Sequence, residues 1–437
     1  MMLKALSKPL STTLAMQMFQ VMRTGSAVLT GVVLAKSTLS TAEIGQWETL
    51  LYVGTTLTFF WVNGLLQSVA GIYAQESEVR RPAVVYNSFV VFCIIALLLF
   101  LLLAAGSPEV LLLITGVREV PFLEWYALFL LFNLPSYPLE YVYLLRQQPR
   151  AIVWWGAFSF GFYLLALGVP VLWGHGLETG IMALSALALV KFVWTLREIS
   201  GFRLSAPDWP LIRRYTRFAM PLVLSSVVSN LMLIFDNWLV NWHYGDPAVF
   251  AVYRYGAREL PLVPALLFAL GASLIPAIAE NQARGLAELK RRTTGMMHVL
   301  FPVTALAMLT SDWWFPLVFN QNFRESAVLF NIYLLTLCSR MLLPASIILS
   351  KGDSGSVFRV SLVELAVKFA LGLTFINLFG LPGLAFSVVI SFWTEKIGLI
   401  WLLERKHGIR TADWVDWRWY LGYSAGLVGL FVYLFVW

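Results

Sequence analysis

The chain has 437 residues, 59% of them hydrophobic and 15% aromatic, with only 13% charged and a formal net charge of +7. A mean hydropathy of +0.75 and a pI near 9.4 exclude a water-soluble globular protein, because no single core could hide so much apolar surface. Lipid must be the solvent, and the positive charge is assigned to loops facing anionic headgroups, with no call for nucleic acid.

Runs of roughly 20 apolar residues, about the length that crosses a bilayer core, predict thirteen helices. The first six lie near 11–35, 45–73, 83–105, 121–144, 151–173 and 180–197. The other seven lie near 218–241, 249–279, 295–318, 326–349, 357–379, 383–403 and 419–437. The first contains Gln17, Gln20, Arg23 and Thr24 with no small-residue cleavage site behind a short apolar core, so it reads as a retained helix. The longest connections, 198–217 and 404–418, are too short to fold alone.

Lysine and arginine gather in alternate connections. With a cytoplasmic N-terminus, 21 of the 31 fall in inside segments, among them Lys4, Lys8, Arg80, Arg81, Arg203, Arg213, Arg214, Lys290, Arg291, Arg405 and Lys406. Only Lys36, Arg118 and Arg324 lie outside, so the positive-inside rule predicts a multi-pass inner-membrane protein with its N-terminus inside. Cys93 and Cys338 fall in helices, and the four histidines at 175, 243, 298 and 407 are widely spaced, so no disulfide framework, metal site or cofactor is expected.

The chain also repeats. Residues 41–75 align without a gap on 246–280, and the turn around His175-Gly176-Leu177 recurs around Gly380-Leu381-Pro382-Gly383. Two pseudo-symmetric six-helix lobes follow, 1–200 and 218–405, joined by a cytoplasmic linker at 201–217 and followed by a loop and peripheral helix at 406–437. An even repeat puts both lobes in the membrane the same way up, related by an axis along the normal, around a central cavity. The fold class is thus all-α and polytopic.

The stretch LAKSTLSTAEIGQW at 34–47 and the eighth helix, from VFAVY at 249–253 through Pro276, carry a family resemblance. The chain resembles bacterial polysaccharide or O-antigen flippases of the multidrug/oligosaccharidyl-lipid/polysaccharide exporter superfamily. This resemblance implies translocation of an undecaprenyl-pyrophosphate-linked oligosaccharide between leaflets by alternating access, for surface polysaccharide assembly such as O-antigen and lipopolysaccharide, without a covalent step. A cation-coupled multidrug antiporter of the same superfamily is the alternative. An integral-membrane polymerase or ligase fits less well, because the longest outside connection, 106–120, offers only Glu109, Arg118 and Glu119. The G-x-x-x-x-G-K-[ST] phosphate loop of an ATP-driven pump does not occur.

Charges inside the hydrocarbon are costly and so mark function. Seven basic groups fall within spans, Arg23, Lys191, Arg254, Arg258, Arg340, Lys368 and Lys396, with the acids Glu48, Asp236, Glu259, Glu364 and Glu395. Arg254 and Arg258, four apart and hence expected on one helical face beside Tyr253, offer planar forks suited to a lipid pyrophosphate, with Arg23 and Arg340 joining them. The opposing reading neutralises them structurally, Asp236 pairing with Arg254. Both can hold at once, since a carboxylate that competes for an arginine couples H+ or Na+ to release. Asp236 and Glu48 are the coupling candidates.

Glu364 and Lys368 are expected to pair. Glu395 and Lys396 are adjacent and point about 100° apart on a helix, so they are not expected to share a partner. Lys191 and Arg340 stand alone in this reading, each lining a cavity or snorkelling. Prolines such as Pro135, Pro138, Pro221, Pro261, Pro264, Pro276, Pro302 and Pro344 bend or kink spans. Tryptophans near span ends, among them Trp47, Trp173, Trp242 and Trp314, are interfacial anchors or, on the outer side, surfaces for sugar stacking.

Overall fold

A computed structural model describes residues 10–200, 207–260 and 263–436. Lys4, Lys8, Arg203 and Pro261, together with the first part of the expected linker, lie outside the described residues. The regular structure among the described residues is all helix, and the chain falls into two compact units, Met1–Ala251 and Val252–Trp437. Nine stretches among them are long and apolar enough to cross a bilayer.

The first unit contains α1 (Thr12–Lys36), α2 (Thr41–Gln75), α3 (Arg81–Ala105), α4 (Pro108–Thr115), α5 (Leu123–Asn133), α6 (Pro138–Leu145), α7 (Pro149–Leu172), α8 (Gly176–Ser200) and α9 (Trp209–Tyr244). Local chemistry sets several of these ends. Ser40 opens α2 with a capping box: its Oγ accepts from the Glu43 amide at 3.2 Å while the Glu43 carboxylate accepts from the Ser40 amide at 2.8 Å. Asp208 caps α9 by accepting from Leu211 N at 3.0 Å. The expected fourth span is interrupted, because Pro135 and Pro138 cannot donate to the helix ladder and a 3₁₀ turn, Leu134–Ser136, separates α5 from α6.

The core of this unit joins α1, α3, α6 and α7 through Ala15, Phe19, Val85, Leu139, Val142, Tyr143, Ile152 and Trp155. The helix expected to open the second lobe, α9, runs lengthwise along α2 here. Tyr215 donates to Leu65 O at 2.8 Å, and Tyr52 donates to Ile234 O at 3.0 Å. Gly64 allows the close approach, since a Cβ there would meet Val223 Cγ2 at 2.6 Å.

The unit boundary falls in α10 (Pro247–Gly256), and the second unit continues with α11 (Val263–Glu280), α12 (Gln282–Val318), α13 (Arg324–Leu334), α14 (Thr336–Arg340), α15 (Pro344–Ser350), α16 (Ser354–His407) and α17 (Trp417–Val436). Here the eighth segment departs from the expectation of one long helix. It ends at Gly256 and resumes at Val263, whereas its sequence partner α2 runs unbroken for 35 residues. The expected eleventh and twelfth segments are merged as α16, which turns at Gly380 (φ 64°, ψ −147°), the position where the sequence placed their connection. The last helix, α17, packs on α12, with Tyr423 2.9 Å from His298 Nδ1, and reaches α14, where Tyr420 donates to Cys338 O at 2.9 Å. Apolar side chains such as Leu97, Leu98, Leu101, Val193, Phe358, Leu362 and Val432 stand exposed along the spans, as a lipid solvent allows.

Candidate functional site

The membrane charges gather into a cluster within each unit. In the first, the proline break between α5 and α6 turns three polar side chains inward. Lys191 on α8 donates its Nζ to Asn133 Oδ1 at 2.6 Å, and Asn133 Nδ2 donates to Tyr137 Oη at 3.3 Å. Lys191 Nζ also lies 5.7 Å from the centroid of the Trp155 ring. Glu140, one turn further on in α6, is buried, and the charges of both Arg23 and Lys191 reach it. Lys191 therefore neither stands alone nor snorkels. Two cations facing one carboxylate leave this cluster with surplus positive charge.

Of the remaining candidates in this unit, Glu48 is buried on α2 with its charge felt at Tyr163, and Asp236 is buried on α9. Neither Glu140, near the end of the expected fourth span, nor Asn133, an uncharged amide in its middle, stands out as a site residue in the sequence. The Pro135–Pro138 spacing, which opens that helix, was the available signal.

In the second unit the gap between α10 and α11 forms the cluster. Arg254 lies within α10 and Arg258 beyond its end, so the two do not continue one helical face. The Arg258 side chain folds back instead, Nε donating to Arg254 O at 3.0 Å and its guanidinium sitting 5.4 Å from the Tyr255 ring centroid. That bond caps an orphan carbonyl at the helix end and leaves the two terminal nitrogens for other partners. The next residue, Glu259, receives Arg340 from α14 in a two-pronged contact at 2.6 and 2.9 Å. Arg340 thus has a structural carboxylate partner, and its guanidinium also lies 4.4 Å from the Phe392 ring centroid.

Tyr253 is buried, its hydroxyl 3.0 Å from that of Tyr333. On α16, Lys368 donates to Ser387 at 2.8 Å. Glu395 and Lys396, despite their angular separation, pair with each other at 2.7 Å, because a long lysine stem can wrap back to its neighbour. The charge of Arg340 extends to buried Glu364. Three carboxylates and several cations therefore share this side of the unit.

The model for the family described as "Lipid II flippase MurJ" matches residues 159–437, well over half of the chain. The chain belongs to the MurJ lipid II flippase family. That family consists of transporters and not of catalysts, and a multi-pass membrane protein is its ordinary form. The fold agrees: a solved lipid II flippase MurJ in an inward closed conformation superposes with a TM-score of 0.72 at 14% identity, covering 96% of this chain and 92% of that one. A MOP superfamily transporter from Pyrococcus furiosus gives 0.55 at 12% identity over 90% and 94%. An outward-facing multidrug resistance MATE family transporter gives 0.53 at 14% identity over the same shares. No curated protein sequence matches the chain.

Proposed function

We propose that this MurJ-family protein flips a polyprenyl-pyrophosphate-linked saccharide from the cytoplasmic to the outer leaflet of the bacterial inner membrane, with its N-terminus cytoplasmic. Membership of residues 159–437 in the MurJ family carries the reading. Supporting it are two cationic clusters at helix breaks, Arg23 with Lys191 in one unit and Arg254, Arg258 and Arg340 in the other, a chemistry that suits a lipid diphosphate better than a cationic drug.

In this mechanism the transported group stays covalently unchanged. Two six-helix lobes, 1–200 and 218–405, alternate access, with Arg258 exchanging its local carbonyl for phosphate oxygens. Glu259, held by Arg340, competes with the substrate for guanidinium charge, and Asp236 and Glu48 provide carboxylates through which H+ or Na+ acts on release. Such competition lets a small cation reset the site after the lipid departs.

The family description points to the peptidoglycan precursor as cargo, whereas the hinge at 34–47 and the helix beginning at 249 favour a surface-polysaccharide precursor. The deciding experiment reconstitutes the full chain in proteoliposomes and follows each lipid-linked saccharide to the far leaflet. Wild-type protein moves one of them and Arg258→Ala does not. Equal translocation by both proteins overturns the site, and no translocation of either lipid overturns the function.

A further inference from the structure

The outer ends of the first unit enclose a cavity of about 420 Å³, at the smaller end of the range for ligand pockets. It lies beside the short helix α4, which the transport mechanism does not use. Gly116, in the left-handed region at φ 81°, caps α4 and lies so close to α9 that a Cβ would meet Trp238 O at 2.6 Å and Trp242 N at 2.7 Å. Trp238 completes the seat by donating its indole nitrogen to Leu112 O at 3.3 Å. The cavity is therefore a fixed feature of the backbone, with α4 held on α9 at one wall and the N-terminal turns of α2 at the other.

Its polar lining is informative. Asn241 is 4% exposed, and its side-chain nitrogen finds no hydrogen-bond partner among the described residues. A buried amide left in that state costs free energy unless something that enters the pocket satisfies it. Arg118 and Glu119 sit side by side on the same lining, so their charges cancel, and Gln46 adds a second neutral amide. Trp242 is half exposed, its ring stacked 5.6 Å from that of Trp238 with the planes 8° apart, which presents a rigid aromatic surface at the rim.

We propose that this pocket binds an uncharged, amide- or hydroxyl-bearing saccharide: the sugar portion of the transported lipid as it arrives on the outer side. The inference rests on the flippase reading above for its cargo and orientation. The chemistry selects this class over a bare anion for three reasons. A lining without net charge gives a phosphate no electrostatic gain, whereas adjacent Arg and Glu side chains supply a donor and an acceptor to neighbouring hydroxyls. A hydroxyl satisfies the Asn241 side chain whichever of its two atoms faces the pocket, and an acyl carbonyl satisfies its nitrogen. The indole face suits the apolar face of a sugar ring. A saccharide held here would be prevented from following its diphosphate back, giving the cycle a direction.

The test titrates free N,N′-diacetylchitobiose into the full-length protein in detergent, following binding by saturation-transfer NMR. Wild-type protein is expected to saturate with a dissociation constant on the order of millimolar, and inorganic pyrophosphate at the same concentration is expected not to displace the sugar. Asn241→Leu should weaken binding about tenfold, the loss of one hydrogen bond to a buried group. Trp242→Ala, at an exposed position, should weaken it as well in a protein whose melting curve is unchanged, and it decides the matter if the Asn241 variant does not fold. Absence of saturable binding, displacement by pyrophosphate, or unchanged affinity in Trp242→Ala overturns the pocket. Because the sugar probe has no lipid and no phosphate, translocation without sugar binding removes this inference alone, and sugar binding without translocation removes only the flippase reading.

Discussion

Arg340 grips both oxygens of Glu259, with Nε at 2.9 Å and Nη2 at 2.6 Å, across the gap where α10 gives way to α11. Both side chains are mostly buried, at 34% and 17% exposure, so this is a partly desolvated pair and not a surface contact. It pins a backbone segment that has no helical ladder of its own, and it sits next to Arg258, the arginine proposed to bind the substrate.

Replacing the fork by a point charge tests that role. Arg340→Lys keeps the charge but loses one of two charge-assisted bonds, a cost of about 1.5–3 kcal/mol. Translocation in proteoliposomes is expected to fall roughly tenfold or more, with a lower melting temperature in detergent. Glu259→Gln should lower stability further, since it strands the guanidinium. Wild-type rates and melting in Arg340→Lys would show that the pair is incidental.

The Lys191–Glu140 interaction predicts non-additivity. Removing Lys191 alone leaves Glu140 with Arg23, and removing Glu140 alone leaves both cations without their carboxylate, whereas removing both leaves Arg23 as the one charge of the three. Lys191→Met and Glu140→Gln should each destabilise the protein by about 1–3 kcal/mol, and the double variant by less than their sum. A thermal-melting double-mutant cycle reads this directly, and strict additivity would mean that the two charges do not interact.

The helical segments were legible because lipid demands long apolar runs, and the turn at Gly380-Leu381-Pro382-Gly383 could be read from its glycines and proline. The break after Gly256 was legible only in part. Pro261 and Pro264 mark bends in the sequence, but they do not reveal that the ladder stops. Pairing was the least accessible feature. Arg340 and Glu259 are 81 residues apart, and Lys191 and Asn133 are 58 apart, and helical periodicity carries no information about which faces meet across such separations. The same limit hid the Asn241 pocket, whose walls come from four separate helices and a loop, although Trp242 had been marked as an outer-side surface for sugars.

At the turn between α15 and α16, Asp353 binds Lys406 at 2.6 Å, Ser356 at 2.8 Å and His407 at 3.2 Å. The bond from Lys406, followed by that from Ser356, holds its carboxyl well below the usual carboxylate range. Depression of the folded-state value means that the stabilisation is complete above the ordinary pKa of an aspartate, about 3.9, and is lost only as pH falls further towards the folded value. Between pH 5 and 8 the Asp353 carboxylate therefore stays ionised and keeps its bond from Lys406. Asp353→Asn should lower the melting temperature at both pH 5.5 and pH 7.5 and leave the pH profile of transport unchanged in shape. A shifted profile would make this turn part of the coupling machinery.

Gly380 provides the last prediction. Its backbone, φ 64° and ψ −147°, lies in a region that only glycine occupies without strain, so Gly380→Ala should cost about 1–3 kcal/mol. Gly426, within α17, has nothing within 4 Å of where a Cβ would stand. There the same substitution should stabilise the helix by up to about 1 kcal/mol, since alanine loses less backbone entropy. Melting curves of the two variants in one detergent should move in opposite directions from wild type. If Gly380→Ala melts at or above the wild-type temperature, the turn in α16 does not hold the conformation described, and the two expected spans are not joined by a sharp reversal at that residue.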